Sequence, residues 1–383
     1  MSITREPEAH YTTTGWPWRS GNEFRLLDGG GEFFPRMLAT IEAARSHVLL
    51  EMYLASSGRV AGAFIETLRR ARLARGVRCC LMLDAFGALG LGGSDRRRLE
   101  DAGVELRFFN PLRWRNRLGN FNRDHRKLLT VDGEVAFVGG AGLADEFDGP
   151  EAWREVMLEI RGPVVTDWQR AFARTWRRCG AELGLPEHLI APLAGGAAGR
   201  LSLSEAREHS VLANGVIRRI DAAGTRAWIM SAYFVPSRRF RKALRRAARR
   251  GVDVRLLMPS ARTDHPWVRQ AARRFYGRML RAGVRIFEYQ PRVLHAKMIL
   301  CDDWVSLGSS NLDRWSFKWN LEANQEVADA RVADAAAALF RGDFAVSQLL
   351  SRRNWPQRAR LDRLREHIAG VLDRWLEGWR RPR

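Results

Sequence analysis

The chain has 383 residues, 46% hydrophobic and 28% charged. That is enough for about two domains with full cores, and the composition excludes wholesale disorder. Lys and Arg number 64 against 43 Asp and Glu, a formal net charge of +21. Such a surface suits anionic partners, phospholipid head groups or nucleic acid, although an arginine-rich genome alone would also produce it. No stretch reaches the roughly 18 uncharged apolar residues of a membrane span. The polar start, Met1 to His10, lacks the apolar core of a signal peptide. The expectation is a protein kept in the cytosol, with any membrane contact peripheral. Cys79, Cys80, Cys179 and Cys301 show neither zinc spacing nor a disulfide ladder.

In chain order the elements fall into two similar halves. The first reads IEAARSHVLLEMYL from Ile41, LRRARLARGVRCCLMLD from Leu68 and AGVELRFFNP from Ala102. The second reads IDAAGTRAWIMSAYF from Ile220, LRRAARRGVDVRLLMP from Leu244 and AGVRIFEYQP from Ala282. Short apolar runs at Val48 to Leu54, Arg78 to Asp84, Trp228 to Phe234 and Asp253 to Met258 predict strands. Helical spacing at Val60 to Ala74 and Arg238 to Arg250 predicts helices between them. The fold class is therefore α/β, with a largely buried sheet in each half. The expected domains are 1–190 and 211–350. Pro186 to Arg200 is rich in Ala, Gly and Pro, and a linker or crossing loop is expected at 191–210. A basic amphipathic helix is expected at 351–383, with a stripe of Leu361, Leu364, Ile368, Val371, Leu372, Trp375 and Trp379. That stripe could dock on the second domain or lie in a membrane interface.

Each half carries one copy of an uncommon pattern. His125, Lys127 and Asp132 follow the spacing His-x-Lys-x4-Asp, and so do His295, Lys297 and Asp302. The chain has only four lysines, Lys127, Lys242, Lys297 and Lys318. Two such patterns at equivalent places in a repeat are not chance. Both segments are predicted strands, so His and Lys, two apart, share a face. Each Asp falls at the following turn, on the opposite parity, and reads as structural.

Two imidazoles and two ammonium groups suit attack on a phosphodiester. Fixed cations stabilise the charge on its non-bridging oxygens. One neutral imidazole can attack phosphorus and form a phosphohistidine. The other, protonated, can serve the leaving and then the incoming alcohol. An imidazole so used needs its second nitrogen oriented, and Glu155 and Glu322 lie at similar distances downstream. No acidic cluster suggests a metal, and no cofactor is required.

These residues resemble the phospholipase D superfamily, whose signature is His-x-Lys-x4-Asp followed by a Gly-Ser-x-Asn-like stretch. The flanking text looks most like bacterial cardiolipin synthases of the shorter kind without transmembrane helices. It includes GNEFRLLDGGGEFF, DHRKLLTVDGEVAFVGG, WREVMLEIRGPVV, YFVPS and HAKMILCDDWVSLGSSNLD. The resemblance implies two similar domains, each a mixed sheet flanked by helices, packed as a pseudo-twofold pair around one cleft. It implies that His125, Lys127, Asp132, His295, Lys297 and Asp302 form the catalytic signature. Ser309 and Asn311 would bind phosphate, Glu155 and Glu322 would orient the histidines, and His125 would be the nucleophile. Gly142 stands where an Asn is expected, so one phosphate-facing amide is missing. The implied reaction is phosphatidyl transfer between phospholipids, phosphatidylglycerol or phosphatidylethanolamine serving as donor. It would take place at the cytoplasmic face of a bacterial membrane. A phosphodiesterase using water, whether phospholipase or nuclease, is the alternative, and a degenerate membrane-binding protein a third. The implied partner is an anionic phospholipid membrane; nucleic acid fits the flanking text less well, and oligomeric state is not indicated. Arg113, Trp114, Arg115 and Arg117, with Arg314, Trp315, Lys318 and Trp319, could meet such a membrane. These tryptophans, like Trp16 and Trp18, could equally be packed in the core.

Overall fold

A computed structural model describes residues 16–112, 117–185, 190–204, 210–313 and 319–353, with Trp355, Glu366 and Ile368. In the first half the strands are β1 (Arg19–Asp28), β2 (His47–Met52), β3 (Arg78–Asp84), β4 (Glu105–Phe109), β5 (Arg123–Asp124), β6 (Lys127–Val131), β7 (Val135–Gly139) and β8 (Val156–Arg161). In the second they are β9 (Ala197–Ser204), β10 (Arg226–Met230), β11 (Phe234–Val235), β12 (Asp253–Pro259), β13 (Arg285–Tyr289), β14 (Met298–Cys301), β15 (Trp304–Gly308), β16 (Leu312–Asp313), β17 (Asn320–Ala328) and β18 (Ser347–Leu350). Strands β2, β3 and β4 are parallel, as are β10, β12 and β13. Helices such as Arg59–Arg75 and Arg238–Arg249 make the crossovers. The first ends on Gly76 in the left-handed region, and Ser237 caps the start of the second.

The sheets of the two halves are continuous. The order runs β18-β13-β12-β10-β14-β15-β17-β9-β1-β8-β7-β6-β2-β3-β4, and the halves meet where β1 pairs with β9. Strand β9 lies within the segment expected to be a linker. Its run RLSLS alternates as a buried strand does, but the Ala- and Gly-rich stretch before it masked that pattern.

Alternate residues of each strand face opposite layers. In β2, Val48 and Leu50 pack against the helices Gly30–Glu42 and Arg59–Arg75, while Leu49 faces the other side. On that other side one core spans both halves. Trp168, Phe172 and Trp176 of the helix Val164–Arg178 share it with Trp228, Phe340 and Phe344 of the second half. Trp168 Nε1 donates across the junction to Gln325 Oε1 at 2.8 Å. Trp16 and Trp18 pack against the core and under arginines, Trp16 beneath Arg174 and Trp18 beneath Arg200. The residues 113–116 and 314–318, and most of the tail helix, lie outside the described residues.

A core shared this way makes the halves thermodynamically one unit. Calorimetry should show a single unfolding transition. Trp168→Ala, which removes a fully buried side chain and orphans Gln325, should lower stability by about 3–5 kcal/mol without splitting that transition.

Candidate active site

The site forms at the carboxyl ends of the parallel strands, where open α/β sheets usually bind ligands. It is built by an exchange between the halves. Just before β6, the segment β5 leaves its own sheet and pairs with the start of β17, Arg123 opposite Asn320 and Asp124 opposite Leu321. The His125 N–H then donates to the Leu321 carbonyl at 3.0 Å. The mirror event occurs before β14. Leu294 pairs with Arg154, and the His295 and Ala296 N–H groups both donate to the Arg154 carbonyl at 2.9 Å.

Each histidine is thereby registered beside the residue that precedes the other half's glutamate. Glu322 lies 3.0 Å from His125 Nδ1 through each carboxylate oxygen. Glu155 Oε2 lies 2.6 Å from His295 Nδ1. The two glutamates are the expected ones, and the pairing is crossed. Both are fully buried. With Nδ1–H donated to a carboxylate, each neutral ring is left with its lone pair on Nε2.

The lysines stand beside the histidines, as the spacing predicts. Lys127 Nζ donates to the His125 carbonyl at 2.7 Å. Lys297 Nζ lies 3.1 Å from His295 Nε2 and 3.8 Å from Glu155. Burial pushes Lys127 down to about 7, Glu322 opposing this and the charge of Lys297 adding to it. Burial also lowers Lys297, against the pull of Glu155. His125 sits below its usual value because it is buried, Glu322 offsetting part of this and both lysines adding to it. Burial and then Lys297 push His295 down to about 4. Burial would raise Glu155, but Lys297 and His295 outweigh it and hold the carboxylate below its usual range. The charge of each lysine thus also lowers the histidine of the other half, and the crossed Glu–His pairs bring the four groups into one site.

Aromatic rings and a carboxylate complete the walls. Tyr53 meets His125 edge-on at 4.9 Å, and its ring lies 5.2 Å from Lys127 Nζ. Phe147 and Trp153 each lie 5.3 Å from the His295 ring. Buried Asp84 accepts from the Asp124 N–H at 2.9 Å and from Arg123, fixing the segment that leads into His125. Sequence reasoning did not single out these residues, because only the exchange of segments brings them to the histidines.

The structure corrects one expectation. Asp132 and Asp302 are not in the site. Seven residues of extended chain carry each about 23 Å from its histidine. There Asp132 accepts from the N–H groups of Arg45, Ser46 and His47, at 2.8, 2.8 and 2.9 Å. Asp302 does the same for Gly224, Thr225 and Arg226. Each pins the start of the neighbouring strand, as the turn position suggested. Ser309 faces Glu322. Its Oγ donates to Glu322 Oε2 at 2.5 Å and accepts from the Ala323 N–H. Asn311 is buried, and its Oδ1 has no partner among the described residues. Gly142, which stands where the missing amide was expected, is hemmed in by Leu54. A Cβ there would lie 2.7 Å from both the Cβ and the carbonyl oxygen of Leu54, so the backbone passes too close for any side chain.

Asp302→Ala should therefore leave the chemical step intact and lower folding stability by about 2 kcal/mol or more, through the loss of charge-assisted bonds. Chemical denaturation alongside turnover of the folded fraction checks this.

Comparison with known proteins bears on the same residues. The family model described as "Cardiolipin synthase, PLD-like domain" matches residues 37–176 and 216–344, one copy in each half. Cardiolipin synthase A of Pseudomonas entomophila (strain L48) is 35% identical over 365 residues, which is 93% of this chain and 75% of that one. Cardiolipin synthase A of Pseudomonas aeruginosa (strain UCBPP-PA14) is 34% identical over 368 residues, 94% of this chain and 74% of that one. Among solved structures, the phosphatidylserine synthase of Haemophilus influenzae Rd KW20 superposes with a TM-score of 0.73 at 12% identity, covering 95% of each chain. The polyphosphate kinase of Porphyromonas gingivalis superposes at 0.59 and 13% identity, over 93% of this chain and 53% of that one. Those two share the fold, while the sequence relatives and the doubled family match decide the assignment: the chain belongs to the cardiolipin synthase family of phospholipase D-like proteins.

Proposed function

We propose that the protein is a phosphatidyltransferase that makes cardiolipin from two phospholipids. One observation carries the reading: two buried imidazoles, each held at Nδ1 by a carboxylate and flanked by a lysine, converge on one site from both halves. The likeness to proteins named cardiolipin synthase A, over 93–94% of this chain and 74–75% of theirs, supplies the substrate class.

The chemistry follows in two displacements. Nε2 of one imidazole attacks phosphorus of phosphatidylglycerol, and the bond from phosphorus to the glycerol oxygen breaks. The other imidazole, protonated, gives its proton to that oxygen, and glycerol leaves. The hydroxyl of a second phosphatidylglycerol then gives its proton to the same imidazole and attacks phosphorus. The phosphorus–nitrogen bond breaks and cardiolipin forms. Phosphatidylethanolamine can replace the first lipid, releasing ethanolamine. Lys127 and Lys297 balance the charge on the non-bridging oxygens, and the Asn311 amide adds a donor. The glutamates hold the rings and stabilise each imidazolium as it forms. The protein acts peripherally, at the cytoplasmic face of the membrane. Among the described residues no helix is long and apolar enough to cross it.

Purified protein with phosphatidylglycerol in mixed micelles, with and without phosphatidylethanolamine, should yield cardiolipin by mass spectrometry. His125→Ala and His295→Ala should each reduce the product by at least about a thousandfold. Phosphatidic acid in place of cardiolipin would make the protein a hydrolase. Peptide mapping of label trapped on histidine separates His125 from His295 as nucleophile.

The site also carries a pH signature. Lys127 is charged below about 7 and neutral above it. Affinity for a phosphodiester should therefore fall as pH rises through that value. Titration with dimethyl phosphate, a monoanion throughout this range, should show the step in the wild type and not in Lys127→Ala.

A further inference from the structure

Loops that follow the carboxyl ends of the parallel strands, where the site forms, carry large apolar side chains into solvent. After β3 the chain reads AFGALGLG from Ala85, with no charged residue, and it leaves Phe86 50% and Leu89 62% exposed. This loop is tied to the site. Phe86 and Gly87 donate their N–H groups to Asp84, and Gly87 packs directly on the backbone of Tyr53, whose ring touches His125. Next to it, the Ala85 N–H donates to the Phe109 carbonyl, and three residues further on Leu112 is 53% exposed. On the opposite wall the loop after β12 leads into a helix at Pro266–Arg273, where Trp267 is 63% exposed. It too is tied in, because the His265 ring lies 5.1 Å from Tyr233 and Asp264 acts on Lys297.

Single exposed apolar side chains are ordinary on a soluble protein. Here Phe86, Leu89, Leu112 and Trp267 all follow carboxyl ends of parallel strands, so they sit at the one end of the sheet where the site forms. Both halves contribute. An apolar rim around a cleft of buried lysines calls for a partner that is apolar in its interior and anionic at its surface. The net charge of +21 and the exposed Arg262 near Trp267 favour an anionic partner as well. A phospholipid bilayer is such a partner, and a trytophan-bearing rim suits the headgroup depth.

We propose that the loop 85–92 and Trp267 form a membrane-docking rim that seats the cleft mouth on an anionic bilayer. The phosphodiester then enters from headgroup depth while its acyl chains stay in the lipid. This rests on the reading of the site as one that acts on phospholipids.

The test compares wild type with Phe86→Ser/Leu89→Ser and with Trp267→Ala, none of which replaces a residue of the catalytic machinery or removes a backbone bond to Asp84. Sedimentation measures binding to vesicles of phosphatidylglycerol mixed with phosphatidylcholine, and to phosphatidylcholine alone. Turnover is measured on those vesicles and on short-chain phosphatidylglycerol below its micelle concentration. The expected result is about tenfold weaker binding to mixed vesicles in each variant, with a matching loss of vesicle turnover. Turnover of the soluble lipid should be unchanged. Variants that bind mixed vesicles like wild type would overturn the proposal, as would wild type binding both vesicle types equally. Equal loss on soluble and vesicle substrate would also overturn it, since the loops would then shape the cleft itself. If wild type turns over neither substrate, the lipid reading of the site fails. The binding measurements would still judge the rim.

Discussion

Everything in the site hangs on two reciprocal main-chain exchanges. His125 is hydrogen-bonded to Leu321 and His295 to Arg154, and the next residue in each case is the glutamate that grips the ring. A backbone bond fixes the register to within a fraction of an ångström, which a side-chain contact on a loop would not do. The exchange needs the halves in one relative position. The β1–β9 junction and the core around Trp168 supply it. Arg154 reinforces it from the other side, its Nε donating to Asp343 of the second half at 2.8 Å.

The second constraint is charge. Two lysines and two glutamates are buried together, which is costly unless they compensate one another. They do so nearly one for one, and the imidazoles stay neutral. The empty cleft is thus close to balanced, yet each lysine is held there against its own desolvation. An arriving phosphodiester adds negative charge, which favours the charged forms of Lys127 and Lys297 and the protonation of one imidazole. The same burial that weakens the lysines as free cations strengthens their grip on that anion.

Much of this was legible in the chain. The repeat, the alternation of strand and helix, and the shared face of each His–Lys pair follow from periodicity alone, and the paired motif implied the family. The turn position of Asp132 and Asp302 was also readable, and it outweighs their place in the signature. What could not be read is whatever depends on contact between the halves. No spacing within one half reveals that Glu322 serves His125, since the partners are 197 positions apart. Tyr53, Trp153 and Asp84 are ordinary residues until the exchange sets them around the imidazoles. Strand β9 was hidden for a different reason: its neighbours in sequence are those of a loop, and only pairing with β1 and β17 makes it a strand.

The repeat is imperfect at one telling point. Ser309 bonds to Glu322, whereas at the matching place in the first half Gly140 lies against Glu155, so close that a Cβ would fall 2.3 Å from its carboxylate. One carboxylate is thus tethered by a hydroxyl and the other is pressed by bare backbone. Two identical chains meeting on a twofold axis could not differ in this way, because symmetry would force both imidazoles into the same surroundings. Fusing the halves into one polypeptide releases them from that equality. A reaction that asks one ring to bond to phosphorus and the other to shuttle a proton gains from partners that are free to become unlike.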